Sequence, residues 1–169
     1  MQLTSHHATA FLDPPSSAIE DLRRTWDPEM QRQIAAHITL VYPNEIADPA
    51  ELLERVARAA ARIAPFTVAV GPAFYEGSPT DGVFLGVSDL HDGLSRFRAV
   101  AVPEAEAISF PPHVTIVHPR TSNRGEQAWA KLAEIHVDAA FTIGEVAMTA
   151  YDGDRWLTLQ TIPLTGSAV

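Results

Sequence analysis

Two heptapeptides constrain this chain more than any other feature. His37-Ile38-Thr39-Leu40-Val41-Tyr42-Pro43 and His113-Val114-Thr115-Ile116-Val117-His118-Pro119 carry the same His, Thr, Val and Pro at every second position, at a spacing of 113 − 37 = 76. The likeness extends outward from them. Asp48 lies 11 residues after its His and Asn123 lies 10 after its own, and both are residue types that cap helices. Phe66-Thr67-Val68 matches Phe141-Thr142-Ile143, and Asp-Gly turns follow at Asp81-Gly82 and Asp152-Gly153. Each half reads as β-α-β-α-β with an additional closing strand, so the chain is an internal duplication. A duplicated unit is expected to pack about a pseudo-twofold axis, which brings equivalent residues together across one cleft. At 169 residues the chain is one domain, with lobes at about 1–80 and 81–169.

Local signals fill in this frame. Residues 7–12 read as a strand ended by Asp13-Pro14-Pro15. Ser17 with Glu20 is a capping box before the apolar face Ile19, Leu22 and Trp26, and Asp27-Pro28 stops that helix. Residues 34–42 are β-branched and apolar enough for a buried strand. Asp48-Pro49-Ala50-Glu51 combines an N-cap, a first-turn proline and an acidic third position, and Leu52, Leu53, Val56, Ala60 and Ile63 recur behind it at helical spacing. Strands are expected at 66–75 and 83–87, linked through 77–82, and a helix at Leu90, Leu94 and Phe97. A further strand spans 114–117. Asn123 with Glu126 caps a helix carrying Trp129, Leu132 and Ile135, and a hairpin of 140–151 and 156–162 turns at Asp152-Gly153-Asp154.

On a strand, positions two apart share a face. His37 and Thr39 therefore project together, as do His113 and Thr115, with Ile38, Leu40, Val114 and Ile116 on the opposite, core side. Two facing pairs of imidazole and hydroxyl suit phosphodiester cleavage without a metal. One neutral His takes a proton from an attacking hydroxyl or water, the other donates to the leaving oxygen, and the Thr hydroxyls hold phosphate oxygens.

Other residues read more plainly. His7-Ala8-Thr9-Ala10 is a third match to the short pattern, but its place in the duplication corresponds to Val83 and Phe84, so His7 reads as a structural or rim residue. His118 lies at an odd offset from His113 and is expected to face away. His91 and His136 flank expected helix ends and carry no assigned role. A zinc site needs three or four convergent ligands, which the pattern does not offer. Asp152-Gly153-Asp154 lacks the remaining positions of a calcium loop. Arg23, Arg24, Arg120 and Arg124 read as surface charges, and Tyr42, Phe74, Tyr75 and Trp156 as core aromatics rather than base-stacking platforms.

Composition narrows the partner. With 12 Lys+Arg against 21 Asp+Glu the net charge is −9, which opposes sequence-independent binding of long nucleic acid. It leaves room for a small phosphorylated ligand in a local pocket. The chain has no cysteine, so neither disulfides nor a thiol nucleophile exist, and no apolar run is long enough to cross a membrane. A soluble, cytoplasmic monomer without membrane association is expected.

The tetrapeptides His37-Ile38-Thr39-Leu40 and His113-Val114-Thr115-Ile116 resemble the paired signatures of the 2H phosphoesterase superfamily. Together with Leu22-Arg23-Arg24-Thr25-Trp26-Asp27-Pro28, they look most like its bacterial 2′-5′ RNA ligase-like and cyclic phosphodiesterase branch. The resemblance covers nearly the whole chain and implies an α+β, bilobal fold with mainly antiparallel sheets flanking a central cleft. It implies metal-independent and cofactor-free action on 2′,3′-cyclic phosphates or related small cyclic or 2′-5′ phosphodiesters of nucleotides or RNA ends. His37 and His113 would be the acid–base pair, and Thr39 and Thr115 the phosphate binders. Ala35-Ala36 stands before the first His where many relatives have proline, as Pro111-Pro112 does before the second. The alternatives are 2′-5′ RNA ligation, or a non-catalytic module that binds a nucleotide or phosphate.

Overall fold

A computed structural model of the chain describes residues 3–78, 80–104 and 107–167, without the side chain of His136. Pro79, in the turn expected at 77–82, and the two N-terminal residues lie outside them.

The elements are β1 (Ser5–Phe11), α1 (Ser17–Trp26), α2 (Pro28–Gln33), β2 (His37–Val41), α3 (Pro49–Ala60), β3 (Phe66–Glu76), β4 (Gly82–Asp89), α4 (Gly93–Ala101), β5 (His113–Val117), α5 (Gly125–Leu132), β6 (His136–Ile143), β7 (Glu145–Tyr151) and β8 (Trp156–Pro163). Helices α1, α3 and strand β2 recur as α4, α5 and β5 at one offset: 93 − 17, 125 − 49 and 113 − 37 all equal 76.

The strands form one antiparallel sheet in the order β6-β3-β4-β5-β2-β1-β7-β8. Its two four-stranded halves meet at β2 and β5, through the single pair Ile38–Val114. These halves are not the sequence repeats of about 1–80 and 81–169. One holds β3 to β6, and the other joins β1 and β2 to β7 and β8. The repeated segments 66–68 and 141–143 lie side by side in the first half, Phe66 opposite Ile143 and Val68 opposite Phe141.

Helix starts follow local chemistry. Asp48 Oδ1 accepts from Ala50 N at 2.9 Å with Pro49 in the first turn of α3, as expected. The cap of α1 is Ser16 rather than Ser17, its Oγ accepting from Ile19 N. The helix expected from Asn123 begins instead at Gly125, where a Cβ would stand 1.7 Å from the Asp81 carbonyl oxygen. Only glycine lets α5 approach the β3–β4 turn so closely. Asp27 does end α1, but its carboxylate also caps the unanticipated helix α2, and this delays the next strand to His37. The segment 140–151 divides at Gly144 into β6 and β7, which belong to opposite halves of the sheet.

Ile38, Leu40, Val114 and Ile116 pack into a core with Ile19, Leu52, Val56, Leu94 and Phe97 from the helices. The alternation of β2 and β5 then leaves His37, Thr39 and Thr115 partly exposed on the other face.

Candidate active site

Strands β2 and β5 run antiparallel with Ile38 opposite Val114. One residue either way, this register sets His37 across from Thr115 and Thr39 across from His113. All four side chains line one cavity of about 360 Å³. Each imidazole thus faces the hydroxyl of the other strand across the seam, as well as sharing a face with its own.

The two rings are held alike. His37 Nδ1–H donates to the Ala35 carbonyl at 2.8 Å, and His113 Nδ1–H donates to the Pro111 carbonyl at 3.0 Å. A carbonyl only accepts, so each Nδ1 carries the hydrogen and each neutral ring keeps its lone pair on Nε2. Proline before the first His is therefore dispensable: Ala35 supplies the same carbonyl as Pro111. Among the described residues neither Thr39 nor Thr115 spends its hydroxyl on a protein partner. Their surroundings differ more. His113 is 9% exposed, with Phe84 and Phe110 edge-on at 4.7 and 4.8 Å. His37 is half-buried and meets one ring, Phe11, at 6.1 Å.

Two residues whose sequence context reads as peripheral also line this cavity. Strand alternation points His118 away, but β5 stops at Val117 and the alternation stops with it. The buried Asp27 carboxylate accepts from His118 N at 2.9 Å and from Thr121 Oγ1 at 2.7 Å, turning the chain back toward the cleft. His7 also reaches the cavity, stacked on Trp156 with ring centroids 4.0 Å apart. Arg120, Tyr42 and Trp156 are further lining residues. By contrast Arg23 is buried and paired with Glu20, Arg24 pairs with Asp21, and Arg124 lies over the Trp26 ring. Phe74 packs against Phe84, and Tyr75 stacks on Trp129. His136 begins β6 rather than flanking a helix.

Burial dominates the electrostatics. It pushes His37 down to about 4, assisted by the positive charges of Arg23, His113 and His118 and opposed by the Ala35 carbonyl. His7 is pushed down to about 3 and His118 to about 4, each chiefly by burial with help from Arg120. His113 is lowered as well, mainly by burial. At neutral pH the cleft thus holds four uncharged imidazoles. Among the described residues no three His, Asp or Glu side chains are grouped to hold a metal ion.

These shifts tie stability to pH. The unfolded chain takes up protons at its histidines below about 6.5, while the folded cleft resists them. Stability is complete above 6.5 and is lost as pH falls toward the folded values, by up to about 1.4 kcal/mol per pH unit for each such imidazole. Between pH 7 and 5, before ordinary carboxylates titrate, calorimetry should show Tm falling by several degrees. A flat Tm across that range would contradict the burial of these rings.

The family description "2′-5′ RNA ligase superfamily" matches residues 11–155. Among solved structures, E. coli LigT complexed with 3′-AMP aligns with a TM-score of 0.62 at 19% identity, covering 97% of this chain and 99% of that one. E. coli LigT complexed with NADP+ gives 0.60 at 19%, over 98% and 99%. The Thermus thermophilus protein TT0787 gives 0.59 at 16%, over 97% and 100%. At such identities the likeness speaks for the fold. No curated protein sequence matches significantly.

Proposed function

Because the chain belongs to the 2′-5′ RNA ligase superfamily, the 2H phosphoesterases, we propose that its cleft hydrolyses a 2′,3′-cyclic phosphate or a related small cyclic or 2′-5′ phosphodiester. The observation that carries this reading is the crossed pair His37–Thr115 and His113–Thr39, with both Nδ1 atoms tied to backbone carbonyls.

In the reaction, water attacks phosphorus opposite the leaving ribose oxygen. The Nε2 lone pair of one histidine accepts the water proton as the P–O bond forms. The second histidine, protonated at Nε2, gives that proton to the leaving oxygen as its bond to phosphorus breaks. The product is a phosphomonoester, and the proton has passed in net terms from one ring to the other. Thr39 and Thr115 hold the non-bridging oxygens for in-line displacement. The anionic phosphate favours the protonated ring that burial alone resists. Among the described residues no Asp or Glu lines the cavity, although the chain has 21 of them, so an anion enters without local repulsion. The structural relatives complexed with 3′-AMP and NADP+ make nucleotides the first compounds to try.

The test is turnover of 2′,3′-cyclic nucleotides by the purified protein in excess chelator, with products identified by phosphorus NMR. Formation of a single phosphomonoester is expected. Tight binding of a cyclic nucleotide with no product after long incubation would replace catalysis by a binding role. Ligation is the reverse chemistry and is read by supplying a cyclic-phosphate end with a free hydroxyl end.

A further inference from the structure

A second cavity of about 330 Å³ adjoins the first and shares with it Ser5, Met30, His118, Arg120 and Trp156. Neither His37, Thr39, His113 nor Thr115 lines it. Like the first, it has no acidic side chain in its wall among the described residues. Its cation, Arg120, stands at the junction beside His118.

His118 is held differently from the catalytic rings. Its Nδ1 faces the Arg120 backbone N–H at 3.0 Å and must accept that hydrogen. The ring hydrogen of neutral His118 therefore sits on Nε2, the opposite tautomer to His37 and His113. The Arg120 guanidinium lies 3.5 Å from Nε2, too far to compete with the shorter bond. His37 and His113 thus present proton acceptors to the cleft, and His118 presents a fixed N–H donor. Asp27, buried beneath, anchors the loop through His118 N and Thr121 Oγ1.

We propose that His118 Nε2–H and the Arg120 guanidinium form a subsite for a second phosphate group of the substrate, placed between the two cavities. The scissile phosphate has its hydroxyl donors in Thr39 and Thr115. A group that reaches His118 and Arg120 from there also borders the second cavity, which those threonines do not line. The substrate class is therefore a nucleoside carrying a further phosphomonoester besides its cyclic or diester phosphate. This rests on the phosphodiester reading of the cleft.

Calorimetry with adenosine 3′-phosphate and adenosine 3′,5′-bisphosphate tests the subsite without turnover. The bisphosphate should bind about tenfold tighter to the unaltered protein, as one or two charge-assisted hydrogen bonds provide. That advantage should vanish in His118→Ala and in Arg120→Ala, and survive in part in His118→Gln, whose amide N–H can replace Nε2–H. Equal affinities for the two nucleotides, or an advantage that neither alanine variant reduces, would overturn the subsite alone. Failure of both nucleotides to bind would remove the phosphodiester reading with it. Long-range nitrogen–proton NMR correlations read the tautomers directly. His118 should carry its hydrogen on Nε2 while His37 and His113 carry theirs on Nδ1, and an Nδ1–H form of His118 would also refute the assignment.

Discussion

Replacing either His37 or His113 by Ala is expected to lower kcat on a 2′,3′-cyclic phosphate by about 10²–10⁴-fold, the contribution of one positioned acid or base. The loss should be similar at the two sites. In-line displacement needs a proton taken on one side and a proton given on the other, and each ring is held toward the cavity by the same kind of carbonyl bond. The double variant should be little worse than either single one, because the rings act as one unit. Circular dichroism should be unchanged, since among the described residues neither side chain bridges two elements by a hydrogen bond: each bonds only to the carbonyl two residues before it. Turnover that survives in both single variants would sink the mechanism. The pH profile of kcat/KM gives a second check. It requires one charged and one neutral ring in the free protein, and burial pushes His37 down to about 4 and lowers His113. The bell should therefore be centred on the acid side of 6.5.

The largest expected loss of stability comes from Glu45→Ala. The Glu45 side chain has no exposed surface, and it joins three parts of the chain. Oε1 accepts from Arg98 at 2.6 Å and from Ile108 N at 2.8 Å, while Oε2 accepts from Tyr42 N at 2.8 Å. Arg98 also donates to the Leu40 carbonyl at 2.7 Å, so the pair clamps α4 onto the end of β2. These bonds hold the Glu45 carboxyl below its usual range despite its burial. Truncation leaves a mostly buried guanidinium and two backbone N–H groups without their acceptor. The cost is about 3 kcal/mol or more. In a chain of this size that lowers Tm on the order of 10 °C. Replacing Glu45 and Arg98 together by Met should cost less than Glu45→Ala, because no charge is then stranded. Thermal unfolding of the three proteins checks the order, and equal losses would argue against a coupled pair.

The convergence of the four candidate residues was legible from residue order because it obeys a local rule: strand alternation alone puts His37 with Thr39 and His113 with Thr115. The cap at Asp48 was legible for the same reason, its acceptor lying two residues from its donor. His118 was not. Its orientation depends on Asp27, 91 residues earlier in the chain, and alternation misleads once the strand has ended. His7 needed Trp156, across the sheet in β8, to bring it to the cavity wall. Arg23 and Arg120 look alike in sequence, yet one neutralises Glu20 in the interior and the other borders the cleft. Their separation is a matter of packing: Arg23 lies on the buried side of α1, and Arg120 lies in the turn that follows β5. The duplication itself was plain, but similarity between repeats does not say whose strands pair with whose.

That exchange of strands also sets an order of assembly during synthesis. The half of the sheet with β3, β4, β5 and β6 is complete once residue 143 has emerged, and His113 stands on it. The half with His37 waits for the last strands, because β1 pairs outward only with β7, its Thr9 hydroxyl reaching the Ala147 carbonyl 138 residues later. Contacts so distant along the chain close slowly. Until then β1 presents an open edge, the kind of surface that recruits foreign strands. The ribosome thus delivers one histidine on a finished support and the other on an unfinished one, and the cleft closes only after the C-terminal hairpin arrives.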